Sequence, residues 1–289
     1  MVVGFPPGGG TDIMARVLSP RLSEYLGQPF VVENRPGATT NIASDMVAKS
    51  APDGHTLLFT TSALAINMSL YKNLPFDALR DFAPVSVFAD SPNLLVAHQS
   101  AGASVKELLA KARAKPDAMN YSSAGAGTSQ HLAGELFKAR TGVQIQHIPY
   151  KGTAASLTAV ISGEVQFSFA NVPAILGHVR SGRIHALAVL ADKRSNLMPD
   201  VPTMREAGVD GVVVPVWYAL LAPAATPREI VKLLGDATAR AARAPDLNQK
   251  LIEQGAEPVG NTPEEFSKLL REEVTRWAEV VRVSGAKAE

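Results

Sequence analysis

Two short stretches of this chain carry the residue types that hold small anions. Phe5-Pro6-Pro7-Gly8-Gly9-Gly10-Thr11-Asp12 reads as the end of a strand running into a helix. Unpaired N–H groups and the positive end of a helix dipole then face whatever sits there. An anion binds at such a turn without Arg or Lys. Glycines lacking Cβ let it approach the backbone, and Thr11 or Asp12 serves as N-cap. Because no Gly-Lys-Ser/Thr follows, the stretch is not a P-loop. The second stretch, Ser122-Ser123-Ala124-Gly125-Ala126-Gly127-Thr128-Ser129, is a matching turn that adds the hydroxyls of Ser123 and Thr128 to the N–H groups of Ala124 and Gly127. Gln130 stands where a dinucleotide fingerprint has its third glycine, and no acidic residue closes the following strand.

Three further turns fit the same chemistry. Tyr150-Lys151-Gly152-Thr153 follows a strand and opens a helix, with Lys151 aimed at a ligand or at solvent. Thr60-Thr61-Ser62-Ala63 and Ala170-Asn171-Val172-Pro173 end strands, where a hydroxyl and an amide complete a hydrogen-bonding cage.

Catalytic sets are harder to assemble. Ser123 is not in Gly-x-Ser-x-Gly, and a hydrolase or transferase built on Ser123 with His131 lacks an orienting acid. The six histidines have no three- or four-residue helical spacing of the kind that binds a metal. His131 reads as a ligand contact or as a core or capping residue. Asp12 is the one acidic residue in a candidate loop, and general acid–base work needs a partner. Cysteine is absent, which removes thiol nucleophiles, zinc–thiolate sites and disulfides. The expectation is a binding protein with no cofactor and no metal.

Those turns need elements to position them, and the chain supplies them twice. The first copy runs Gly8 to Thr11, a helix with Ile13, Val17, Leu18, Leu22 and Leu26 on one face, Gly27, a strand over 29–33, Pro36-Gly37, a helix to Ser50 and a strand over 55–60. The second runs Gly125 to Thr128, a helix with Leu132, Leu136 and Phe137, Gly142, a strand over 143–148, Lys151-Gly152, a helix with Leu157, Val160 and Ile161, and a strand over 165–170. Both read as βαβαβ, with ligand turns at the carboxyl ends of strands. Strand 93–97 and the capping box Ser104 to Glu107 lead from one half to the other; strand 217–222 leads back. Thr226-Pro227-Arg228-Glu229 and Thr262-Pro263-Glu264-Glu265 each read as an N-cap, Pro at N1 and Glu at N3. The prediction is an α/β protein of two similar lobes joined by a two-strand hinge, residues 1–98 with 221–289 in one and 99–220 in the other, with a ligand between them.

Composition agrees with an ordinary soluble fold: 46% hydrophobic and 19% charged residues in 289. With 28 Lys and Arg against 27 Asp and Glu, and no basic run, neither nucleic acid nor an anionic membrane surface is indicated. Apolar stretches fall well short of the ~20 residues of a transmembrane helix. The opening Met1-Val2-Val3-Gly4-Phe5 reads as the tail of a strand, so the start of that strand and a preceding signal peptide are expected to be missing.

Across its length the sequence resembles the periplasmic receptors of tripartite tricarboxylate transporters, the Bug receptors. The resemblance rests on 5–12, on Val32-Glu33-Asn34-Arg35-Pro36-Gly37, Ala51-Pro52-Asp53-Gly54 and Asp81-Phe82-Ala83-Pro84-Val85, and on His131-Leu132-Ala133-Gly134-Glu135-Leu136-Phe137, Pro149-Tyr150-Lys151-Gly152, Asp200-Val201-Pro202-Thr203 and Gly255-Ala256-Glu257-Pro258. It implies a type II periplasmic binding-protein fold, export, and delivery of solute to a membrane permease; the expected ligand bears a carboxylate and the expected state is a monomer. The carboxylate would be held by backbone N–H groups and waters of 7–12 and 61–63, with second-lobe contacts from Ser123, Ala124, Gly127, Thr128, Tyr150, Lys151, Gly152, Thr153 and Asn171. Ala170 stands where many members are acidic, which argues against an amino-acid ligand. A sensor subunit of a membrane signalling system would share this fold and site.

Overall fold

A computed structural model describes residues 1–116 and 118–288. The chain runs β1 (Val2–Val3), α1 (Gly10–Leu26), β2 (Glu33–Asn34), α2 (Asn41–Ala48), β3 (Leu58–Thr61), α3 (Ala63–Leu70) and β4 (Phe82–Ala97). It continues α4 (Val105–Ala114), β5 (Asn120–Ser123), α5 (Ser129–Thr141), β6 (Gln146–Pro149), α6 (Thr153–Ile161), β7 (Phe167–Asn171), α7 (Val172–Arg180) and β8 (His185–Val189). Last come β9 (Pro215–Pro223), α8 (Arg228–Arg243), α9 (Pro245–Glu253), β10 (Glu257–Pro258) and α10 (Pro263–Ser284). The α/β class is as expected. Packing divides the chain into two compact units, Met1–Asp90 with Trp217–Glu279 and Ser91–Val216 with Val280–Glu289.

In the first unit β1 lies between β2 and β3, parallel to both, and β9 pairs antiparallel with β3. Strand 29–33 of the sequence reading shrinks to Glu33–Asn34, paired with Val2 and Val3, while Met1 still bonds Val31 and Glu33 beside it. Helix α1 covers this sheet with Met14, Leu18 and Leu22, all fully buried, and α8 packs on α1. Trp277 of α10 is also fully buried, and its indole N–H and that of Trp217 both donate to the buried Glu273 carboxylate, at 2.8 and 3.1 Å.

In the second unit β7 and β6 flank β5, both parallel to it. The 93–97 portion of β4 pairs antiparallel with β7 and with β8. Tyr121, Phe137, Phe167 and Phe169 form an aromatic core with centroids 5.7–6.4 Å apart. Gly134 decides how closely α5 approaches: a Cβ there would meet the Tyr121 ring at 2.1 Å. The repeat shows in helix ends as well. Gly27 and Gly142 close α1 and α5 in the left-handed conformation, φ 65° and 68°.

One start signal forms only in part. Thr262 and Glu265 make a reciprocal capping box at α10, and Ser104 accepts from Glu107 N–H at α4. At α8, by contrast, the N-cap is Pro227 with no side-chain bond, and the buried Thr226 hydroxyl has no partner. The expected capping box at Thr226 is therefore corrected: the chain turns one residue later, which takes the hydroxyl out of reach of the helix N–H groups.

Candidate functional site

Each unit gathers its candidate turns at the carboxyl ends of neighbouring parallel strands. In the first, β1 leads to Phe5–Asp12 and β3 leads to Thr61, Ser62 and Ala63. Helix α1 begins behind Gly9 with no side-chain cap, so the N–H groups of its first turn are left for another acceptor. Neither Thr11 nor Asp12 caps it. Asp12 instead turns back on the loop: its carboxylate accepts from Gly8 N–H at 3.0 Å, Arg16 Nε at 3.0 Å and Asn34 Nδ2 at 2.9 Å. Burial pushes this carboxyl's pKa up, but the hydrogen bonds from Arg16, Gly8 and Asn34 and the Arg16 charge outweigh that and hold it below the ordinary range. Asn34 also donates to Phe5 carbonyl, so one amide fixes both ends of the glycine turn. Pro7 and Gly8 are exposed, while Gly9, Gly10 and Thr11 are buried. Thr61 Oγ1 accepts from Ala63 N–H, and the fully buried Ser62 hydroxyl has no partner.

A third turn of this unit escaped the sequence reading as a site. After Gly37, residues Ala38, Thr39 and Thr40 all take positive φ, 43°, 48° and 74°. Asn67 Nδ2 holds Thr39 carbonyl at 2.9 Å, and the buried Thr40 hydroxyl is unpartnered. Three consecutive left-handed residues other than glycine mark a turn held by its surroundings. Only Pro36-Gly37 hinted at it.

In the second unit β5, β6 and β7 lead to the turns of Ser123, Tyr150 and Asn171. The Ser123 turn is bonded within itself. Ala124 N–H donates to Gln130 Oε1 at 2.9 Å, Gly125 N–H to Ser123 Oγ at 3.1 Å and Gly127 N–H to His131 Nδ1 at 3.2 Å. Thr128 N–H donates to Gly125 carbonyl, and the Thr128 hydroxyl donates to the same carbonyl while accepting from His131 N–H. The hydroxyls that the sequence offers to a ligand are thus engaged in shaping the turn. Gln130 Nε2 also reaches Thr153 Oγ1 at 3.0 Å, tying the starts of α5 and α6 together. Gly152, at φ 100°, is the N-cap of α6, which lacks a side-chain cap. Lys151 is exposed, and Tyr150 directs its hydroxyl to Glu164 at 2.9 Å. Asn171 is the N-cap of α7 without capping it, and its buried Oδ1 has no partner.

Ser123 does meet a histidine, though a different one from that first considered. Its Oγ lies 2.7 Å from His147 Nε2, while His131 bonds the backbone of Gly127. The Ser123–His131 pair is accordingly corrected; in the parallel register of β5 and β6, Tyr121 lies opposite His147 and Ser123 opposite Pro149. Among the described residues no cluster of His, Cys, Asp and Glu could hold a metal ion, and no helix is long and apolar enough to cross a membrane.

The model of the tripartite tricarboxylate transporter family receptor matches residues 14–285. The chain belongs to that family. This receptor is 42% identical to Protein BugT of Bordetella pertussis over 99% of its own length and 89% of BugT. Its fold superposes with TM-score 0.96 on the R. palustris protein Rpa4515 solved with adipate, at 38% identity, covering 100% and 97% of the two chains. With MatC of Rhodopseudomonas palustris, solved with bound malate, the TM-score is 0.92 at 33% identity and 97% coverage of each. The fold is that of the periplasmic binding proteins, and the family is one of solute-binding receptors, not enzymes.

Proposed function

We propose that this receptor captures a small dicarboxylate of the size of malate or adipate and delivers it to the membrane permease of a tripartite transporter outside the cytoplasmic membrane. The observation that carries this reading is the uncapped start of α1 behind Gly8 and Gly9, at the carboxyl end of β1, with no Arg or Lys in the turn. Its N–H groups suit one carboxylate, which would lie against Pro7–Thr11 and be reached by Thr61, Ser62 and Ala63. Asp12 would hold the turn from behind. A second unit closing on the ligand would contribute Asn171, Thr153, Gly152 and the exposed Lys151, with Ser123, Ala124, Gly127 and Thr128 giving their turn its shape. In this reading the two packing units are the two lobes and β4 and β9 are the hinge strands. Two relatives solved with adipate and with malate support the ligand class.

Thermal denaturation with adipate, malate, succinate, citrate and benzoate tests the proposal, since a ligand that binds only the folded state raises Tm. Adipate or malate should raise it by several degrees at millimolar concentration. No shift with any dicarboxylate would overturn the assignment. Gly9→Val should abolish the shift by filling the space where ligand meets backbone.

A further inference from the structure

We infer that the stacked pair His131 and His147 is the positioning device of the second unit's ligand turn, and that the turn keeps its shape only while the His131 ring is neutral. The inference rests on the reading above, which puts this turn against a ligand. Its starting point is which atoms the rings hold. His131 Nδ1 accepts the N–H of Gly127, so that nitrogen carries no proton and the neutral ring bears its hydrogen on Nε2. A proton added at Nδ1 would set N–H against N–H and expel the Gly127 amide. His147 Nε2 lies 2.7 Å from Ser123 Oγ, the atom that accepts Gly125 N–H. The two rings stack at 4.3 Å with 21° between planes, and Tyr121 stacks on His147 at 4.8 Å and 24°. Residues of α5 and β6 thus hold one turn, His131 at Gly127 directly and His147 at Gly125 through Ser123, and each ring packs on the other.

The groups that face the pair come from several elements. Glu135 and Lys138 of α5 form an ion pair at 3.0 Å, and Glu135 accepts the Tyr121 hydroxyl at 2.7 Å. Lys287 of the C-terminal segment lines, with Glu135, Lys138, Gln146 and both rings, a cavity of about 530 Å³. Burial lowers the His131 pKa to about 4, with Glu135 opposing and Lys138 assisting. His147 falls to about 3 through burial, His131 and Lys138. Both rings are neutral at neutral pH, which is the state the Gly127 bond requires. His131 is buried and both rings spend a nitrogen on the turn, so the pair acts through the turn.

Glutamine can replace the accepting nitrogen without titrating, and leucine cannot. Malate and adipate affinity, read by calorimetry at pH 7, should fall about tenfold in His131→Leu and stay within about twofold of wild type in His131→Gln. Equal affinities in all three proteins, or a glutamine variant as weak as the leucine one, would overturn the inference. Amide exchange of Gly127, followed by NMR without ligand, should be slow in wild type and His131→Gln and fast in His131→Leu; equal rates would also overturn it. That readout stands even if wild type binds neither acid, an outcome that removes the dicarboxylate reading alone. Should the leucine variant not fold, the ratio of wild-type to glutamine-variant affinity decides, because the ligand's own titration cancels in it. It should drop as pH falls through about 4, and a ratio constant from pH 6 to 3.5 would refute the positioning role.

Discussion

Asp12 shows how a buried charge can shape a glycine turn from within. Asp12 is 4% exposed and its carboxylate takes hydrogen bonds from three donors, Gly8, Arg16 and Asn34, that close the glycine turn on itself, leaving the start of α1 uncapped. Asp12→Asn should cost about 1–2 kcal/mol in urea denaturation at pH 7, the range of hydrogen bonds to a charged group. Because the folded-state pKa is depressed, that stability is present above the unfolded value near ~4 and lost as pH falls through the lower folded value. The gap between variant and wild type should therefore close at strongly acid pH; a gap that persists there would show that packing, not charge, is lost. Asp90 behaves oppositely. Burial and the Glu257 carboxylate across the β4–β10 pair raise it to about 6. Its contribution is intact below the unfolded value and is lost as pH rises through about 6, so Asp90→Asn should gain about 2 kcal/mol over wild type at pH 8 and nothing at pH 4. Equal stabilities at both pH values would contradict the assignment. The roles of Asn34, Gln130 and His147 were not legible in the sequence, because each depends on which strands or helices lie side by side. Gln130 was noticed only as the residue that breaks a dinucleotide fingerprint, yet it is the clamp between two helix starts.

At the scale of elements, local rules carried far where the partners are near in sequence. The glycine turns, the left-handed ends of α1 and α5 and the capping boxes at α4 and α10 follow from residues within four positions of one another. Strand extents did not. Strand β4 runs sixteen residues through Pro84, Asp90 and Pro92, none of them a strand former, and is held in register by β7, β8 and β10. Only its 93–97 end was predicted. The two Thr-Pro starts give a matched test of local against tertiary control. Thr262→Ala should destabilise by about 1 kcal/mol, the usual worth of a cap. Thr226→Val, which removes a buried hydroxyl that bonds nothing, should lie within about 0.5 kcal/mol of wild type or above it. A larger loss at Thr226 than at Thr262 in the same denaturant series would reverse the assignment of the two caps.

For the whole molecule, the family was legible because eight motifs in order constrain far more than any one of them, whereas the division of the chain depends on packing. Strand β4 passes the boundary at 90/91, β9 that at 216/217, and α10 that at 279/280, so two strands and one helix run between the units. On the function proposed above the receptor would work by closure: ligand captured on the turns of β1 and β3 would recruit groups of the other unit, and contacts made only when closed would shift the population. Asn171 is the residue to vary, since its side-chain oxygen lacks a partner and it makes no cap at α7. Asn171→Ala should weaken malate or adipate binding by about 1–3 kcal/mol if its amide bonds a charged ligand. Capture by the first unit should survive, so saturation remains reachable. Small-angle scattering then separates binding from closure. Wild type at saturating ligand should show a smaller radius of gyration than without ligand, and the variant, also saturated, should shrink less. A wild type whose scattering is the same with and without bound ligand would mean that the receptor recognises its solute in a rigid state, and the three chain passages would then serve to hold the units together and not to hinge them.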